Sequence, residues 1–178
     1  LHAWNDTALD VALDRSLYAL FADQVAARRS AIALVADDQR ISYQQLADHA
    51  AQIASALRNA GVVQGDRLVL SMNKSPDLIA AMLGIIKLGA AYVPVSLDTP
   101  AERRAFILND AQVRWTLTTR ADAEHFSEEE SARLLFVDEF HEPASTPDDA
   151  ADAVDSSTIA YIIYTSGTTG TPKGVAIT

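Results

Sequence analysis

The chain has no cysteine, which removes a disulfide framework, a thiolate nucleophile and a thiolate metal site. That absence agrees with a cytoplasmic protein, where disulfides are rare. Bases are few: 14 Lys and Arg stand against 24 Asp and Glu, for a net charge of −10. No basic patch suited to nucleic acid is present, so a nucleic-acid partner is not expected. Long apolar runs are missing too. The longest, Leu78 to Ile86, covers nine residues and stops at Lys87, too short to span a membrane. Leu1 to Asp14 contains no apolar core segment, so no signal peptide is expected. His2, His49, His125 and His141 show no ligand spacing with one another or with carboxylates, so no protein-held metal is expected. Aromatics are sparse, and Phe21, Tyr43, Tyr92, Phe106 and Trp115 fall in core-like patterns that assign them to packing.

What is there is organised. Twelve of the 24 acids fall within residues 121–157 beside one base, Arg133, and the rest of the chain is close to neutral. With Pro143 and Pro147 inside it, that acidic stretch reads as a solvated connecting loop. Elsewhere helix and strand signals alternate, which argues for an α/β fold: a largely parallel sheet with packed helices. Leu17, Leu20, Phe21 and Val25 fall at helical spacing, and Ala31 to Ala36 reads as a strand followed by a turn at Asp37-Asp38-Gln39. Ser42 with Gln45 is a capping box, opening a helix whose stripe is Leu46, Ala50, Ile53, Ala54 and Leu57 and whose stop is Gly61. Ser75-Pro76 caps a second helix, running to Gly89. Thr99 with Glu102 predicts the cap of a third, through Phe106, Ile107 and Leu108. Further strands are expected at Arg67 to Met72, Ala91 to Val95, Trp115 to Thr119 and Leu134 to Val137.

The most informative segment is Thr165-Ser166-Gly167-Thr168-Thr169-Gly170-Thr171-Pro172-Lys173-Gly174. It follows the apolar run Ile159 to Tyr164, expected to be a strand buried on both faces, and precedes the apolar Val175-Ala176-Ile177. Glycine lets backbone N–H groups converge on an anion, hydroxyls add donors, and Lys173 adds a compact positive charge. The pattern points to a polyphosphate. A Walker loop is excluded, because Pro172 stands where its second glycine belongs and Gly174 follows the lysine. The dinucleotide fingerprint also fails, since no glycine lies two residues after Gly167.

Tyr161 to Thr178 resembles the phosphate-loop core motif of the adenylate-forming superfamily, which holds acyl-CoA ligases, luciferases and the adenylation domains of nonribosomal peptide synthetases. Lys87-Leu88-Gly89-Ala90-Ala91-Tyr92-Val93-Pro94-Val95 resembles a motif of the peptide-synthetase branch, and Ile41-Ser42-Tyr43-Gln44-Gln45-Leu46 resembles another core motif. Trp4-Asn5-Asp6-Thr7 is similar to the segment leading in from an upstream condensation domain. Ser96-Leu97-Asp98-Thr99-Pro100 departs from the Asp-Pro, any residue, Tyr-Pro that the branch usually carries there. The resemblance implies residues 1–15 as a lead-in linker and 16–178 as the N-terminal portion of an adenylation domain, the first subdomain of its large N-terminal domain, incomplete at the C-terminus and inactive alone. It implies ATP with Mg²⁺, an amino or aryl acid activated as acyl-AMP, and a carrier-protein domain whose phosphopantetheine thiol takes the acyl group. An MbtH-like accessory protein is a further implied partner. Thr165, Ser166, Gly167, Thr168, Thr169, Gly170, Lys173 and Gly174 are the implied phosphate-binding residues, with Lys173 the catalytic one. An acyl- or aryl-CoA ligase, or a catalytically silent nucleotide-binding or interaction module, stands as the alternative.

Overall fold

The computed structural model describes residues 14–140, 154–166 and 172–178. Its centre is a six-stranded sheet in the order β6-β5-β3-β4-β7-β8, from Leu134–Phe136 (β6), Trp115–Thr118 (β5), Arg67–Leu70 (β3), Ala91–Pro94 (β4), Tyr161–Thr165 (β7) and Lys173–Ile177 (β8). All pairs are parallel except β7 with β8. After Arg67, β3 is apolar and buried because helices cover both of its faces. Leu68 and Leu70 pack with Leu46, Ile53, Leu57 and Ile85, while Val69, between them, packs with Val93, Ile107 and Val113 on the other side.

The first face is covered by α2 (Tyr43–Asn59) and α3 (Pro76–Lys87), and the second by α4 (Ala101–Asp110). From β3 the chain crosses through α3 to β4 on one side, and from β4 it returns through α4 to β5 on the other. Crossovers of one hand running in opposite directions must lie on opposite faces, which fixes the three layers.

The sequence signals explain the starts and stops. Ser42 accepts from Gln45 N at 3.2 Å while Gln45 Oε1 accepts from Ser42 N at 2.8 Å, completing the expected box. Ser75 accepts from Leu78 N at the start of α3. Gly61, at φ +86°, follows the end of α2 in the left-handed conformation that side chains resist.

Two expectations are corrected and two are extended. Thr99 does not cap α4: Pro100 holds the N-cap position with no side-chain bond, and the Thr99 carbonyl accepts instead from Arg104 at 3.2 Å. In α1 (Leu17–Arg28), Leu17 and Leu20 are exposed and Tyr18 and Ala19 are buried. The helix packs inward through Tyr18, Phe21 and Ala22, with Lys87 Nζ donating to the Tyr18 hydroxyl at 3.1 Å. Gln39–Ser42 forms a strand (β2) antiparallel to β1 (Ile32–Ala36), where sequence marked only the turn.

The acidic stretch is the fourth. Asp122 is 5% exposed, and Ser127 and Glu130 form a capping box that opens a short helix α5 (Glu128–Ser131). Glu130 pairs with Arg104 at 2.6 Å, and Asp138 accepts from Arg120 N at 3.0 Å. These acids find cationic or N–H partners on neighbouring elements, so the backbone follows them instead of staying solvated. Residues 141–153, with Pro143 and Pro147, lie outside the described residues.

Candidate functional site

The loop stands at the carboxyl end of β7, the end of a parallel sheet where ligands of such folds bind. Its stems form an antiparallel hairpin in the register Tyr161↔Ile177, Ile162↔Ala176, Ile163↔Val175, Tyr164↔Gly174 and Thr165↔Lys173. This differs in kind from phosphate loops that open a helix. Among the described residues the loop leads into strand β8 and not into a helix, so the donors on offer to an anion are N–H groups, hydroxyls and the lysine.

Of the implied residues, Thr165, Ser166, Lys173 and Gly174 are described, and Gly167, Thr168, Thr169 and Gly170 lie outside the described residues. Thr165 and Lys173 face each other on the last rung, with Thr165 Oγ1 donating to the Lys173 carbonyl at 3.5 Å. That leaves the exposed ammonium and the Ser166 hydroxyl at the open end of the hairpin. A hydroxyl and an ammonium placed there are donors that fit a polyphosphate. Among the described residues no group of His, Asp or Glu is placed to hold a metal.

The expected double burial of the launching strand is not found. Ile162 is buried, but Ile163 is 45% exposed, and Val175 and Ile177 on the neighbouring strand are exposed as well. The cause is position. β7 meets β4 at one register pair, Tyr92↔Tyr161, and lies next to the edge strand β8. Helix α4 covers the Ile162 face, while the Ile163 face projects beyond α2 and α3. Stacked rings of Tyr92 and Tyr161, 5.4 Å apart, strengthen the single pairing.

Two features of the site were invisible in the sequence. Tyr164 donates to Asp110 Oδ2 on α4 at 2.6 Å. Burial, then the bond to Asp110, hold its hydroxyl above the ordinary tyrosine range. Asp122 accepts from Asn73 N at 3.1 Å, Asn73 Nδ2 at 2.6 Å and Thr119 Oγ1 at 2.8 Å. It ties the loops leaving β3 and β5 at the same end of the sheet as the phosphate loop. A local signal existed for neither, because both partners come from distant chain positions.

A cleft of about 440 Å³ lined by Arg15, Ser16, Gly89, Asp155, Ala160 and Thr178 sits at the other end of the sheet, before β4 and β7. It is remote from the donor set and takes no part in the site.

Comparison with known proteins supplies the context. The family model described as AMP-binding enzyme matches residues 21–178. Gramicidin S synthase 2 of Brevibacillus brevis is 37% identical over 180 aligned residues, covering 99% of this chain and 4% of that protein. Among solved structures, the AMPPNP-bound form of the nonribosomal peptide synthetase FmoA3 superposes at a TM-score of 0.84 with 32% identity, over 97% of this chain and 18% of that one. The N-terminal subdomain of Klebsiella oxytoca NpsA in complex with 3-hydroxyanthranilyl-AMSN gives 0.75 and 26%, over 92% and 40%. The chain thus spans a small part of the length of the relatives it matches.

Proposed function

The chain belongs to the AMP-binding enzyme family, and from that premise we propose that it is the phosphate-binding part of an adenylation domain in a nonribosomal peptide synthetase. The reaction is attack of an amino or aryl acid carboxylate on the α-phosphorus of ATP, brought as its Mg²⁺ complex. A carboxylate–phosphorus bond forms, the bond to the β-phosphate bridging oxygen breaks, and pyrophosphate leaves. The acyl group then passes to the phosphopantetheine thiol of a carrier-protein domain. Similarity to peptide synthetases supports this acceptor over soluble coenzyme A. In the same reading residues 1–15 lead in from a condensation domain, an MbtH-like protein assists, and the reaction is cytoplasmic.

The observation that carries the proposal is the donor-bearing hairpin end at the carboxyl edge of the parallel sheet. Negative charge builds on the departing pyrophosphate, so donors fixed beforehand around its β- and γ-phosphates lower the barrier without reorganising. Ser166, Thr168, Thr169 and Lys173 are assigned that work, with Gly167, Gly170 and Gly174 shaping the backbone and Pro172 stiffening the approach to the lysine.

Acid-dependent ATP–pyrophosphate exchange by the full-length protein, across a panel of amino and aryl acids, tests the reading. Exchange with one or a few acids is expected. A folded protein that binds MgATP but exchanges with none would instead be a silent module.

A further inference from the structure

The upper end of β7 is thinly paired, yet it carries the phosphate loop. Above Tyr161 the strand has no register partner on β4 and is paired only with β8, the edge strand. A two-stranded ribbon by itself is marginal in water. Burial of Ile162 against Val93 and Ile107 holds its lower half, and Tyr164 makes the contacts nearer the loop.

Tyr164 lies one rung below the loop, opposite Gly174. A Cβ at Gly174 would stand 3.1 Å from Tyr164 Cζ, 3.3 Å from its Cε2 and 3.1 Å from Ile162 Cγ2. The ring therefore lies across the glycine backbone, filling the space where a side chain would be. At its tip the hydroxyl donates to Asp110 Oδ2 at 2.6 Å, a short bond to a charged acceptor bridging 54 residues of sequence. Asp110 ends α4, whose Ile107, with Ala111 just beyond, is buried against Val69 and Val93.

We infer that Tyr164 is a positioning residue for the phosphate loop, clamping both of its stems to α4 through the ring across Gly174 and the hydroxyl on Asp110. This rests on the phosphate-loop reading above. The clamp sets where Thr165, Ser166 and Lys173 leave the sheet, and so sets the spacing of donors on the two sides of the anion. It also gives Gly174 a second task besides backbone shape: the position must be empty for the ring to cross.

The test uses the full-length protein and MgATP. Calorimetric affinity is measured for the wild type, Tyr164→Phe, Asp110→Ala and Asp110→Asn, together with amide hydrogen exchange over residues 165–174 without nucleotide. Tyr164→Phe and Asp110→Ala are expected to weaken MgATP about tenfold and speed amide exchange in both stems. Asp110→Asn, which keeps an acceptor, is expected within about twofold of the wild type. In exchange assays the KM for ATP rises while the KM for the acid does not. Unchanged affinity with unchanged amide exchange overturns the clamp, as does an equal loss for ATP and acid accompanied by a lower melting temperature. A folded wild type that does not bind MgATP overturns the phosphate-loop reading itself, an outcome distinct from the other two.

Discussion

Gly84 lets α3 pack closely on α2. A Cβ there would meet the Ala50 carbonyl oxygen at 2.9 Å and Ile53 Cγ2 at 3.0 Å. The first neighbour is backbone and cannot swing aside. Alanine gains helix propensity, but the forced separation of two packed helices outweighs it. Gly84→Ala is expected to cost about 1–2 kcal/mol, read as a lower urea midpoint at unchanged slope. Lys173 is a different kind of residue, exposed, with its proposed role carried by its charge. In the full-length protein Lys173→Ala is expected to slow adenylation by about 10²–10³, the range for one lost transition-state donor, with the urea midpoint unchanged. Undiminished pyrophosphate exchange in that variant would remove the lysine from the mechanism. The sequence revealed Lys173 through its motif, whereas Gly84 looked like any residue of an apolar helix.

At the scale of elements, α5 depends on one ion pair. Arg104 is almost fully buried and donates to both oxygens of Glu130, to the His125 carbonyl and to the Thr99 carbonyl. Glu130→Ala leaves a buried guanidinium with carbonyl partners only, an expected loss of about 2 kcal/mol by denaturant unfolding. The Arg104 bond holds the Glu130 carboxyl below its ordinary range, against an opposing push from burial. A depressed folded value means stability present above the unfolded value, about 4.3 for glutamate, and lost as pH falls through the lower folded one. Unfolding free energy is therefore expected to fall below about pH 4, and to fall less steeply in Glu130→Gln. Equal pH slopes in the two proteins would contradict that assignment. Helix starts at Ser42 and Ser75 were legible because capping is a matter of a few consecutive residues. The fate of the acidic stretch was not, because Arg104 and Asn73 lie 26 and 49 residues from their carboxylate partners.

For the whole molecule, the sheet ends in β8, where Ile163, Val175 and Ile177 form an exposed apolar face beside an unpaired strand edge. Such an edge templates association. The 178 residues expressed alone are expected to aggregate with rising concentration, seen by light scattering, and to form no acyl-adenylate with MgATP and any acid of the panel. Measurable adenylation by this polypeptide would mean that these residues hold an acid-binding pocket as well as the phosphate loop. Among the described residues no helix is long and apolar enough to cross a membrane, in keeping with the nine-residue limit of the apolar runs.

The sequence by itself determined the element alternation, the helix caps at Ser42 and Ser75, the parallel sheet and the residue types of the loop after β7. Each depends on residue type at short spacing, where backbone sterics and local hydrogen bonds act. Only the tertiary structure decided that the loop closes a hairpin at a sheet edge, that its launching strand is half exposed, and that Tyr164, Gly174 and Asp110 meet beneath it. Those facts depend on strand order and register, which distant parts of the chain settle by burying one another.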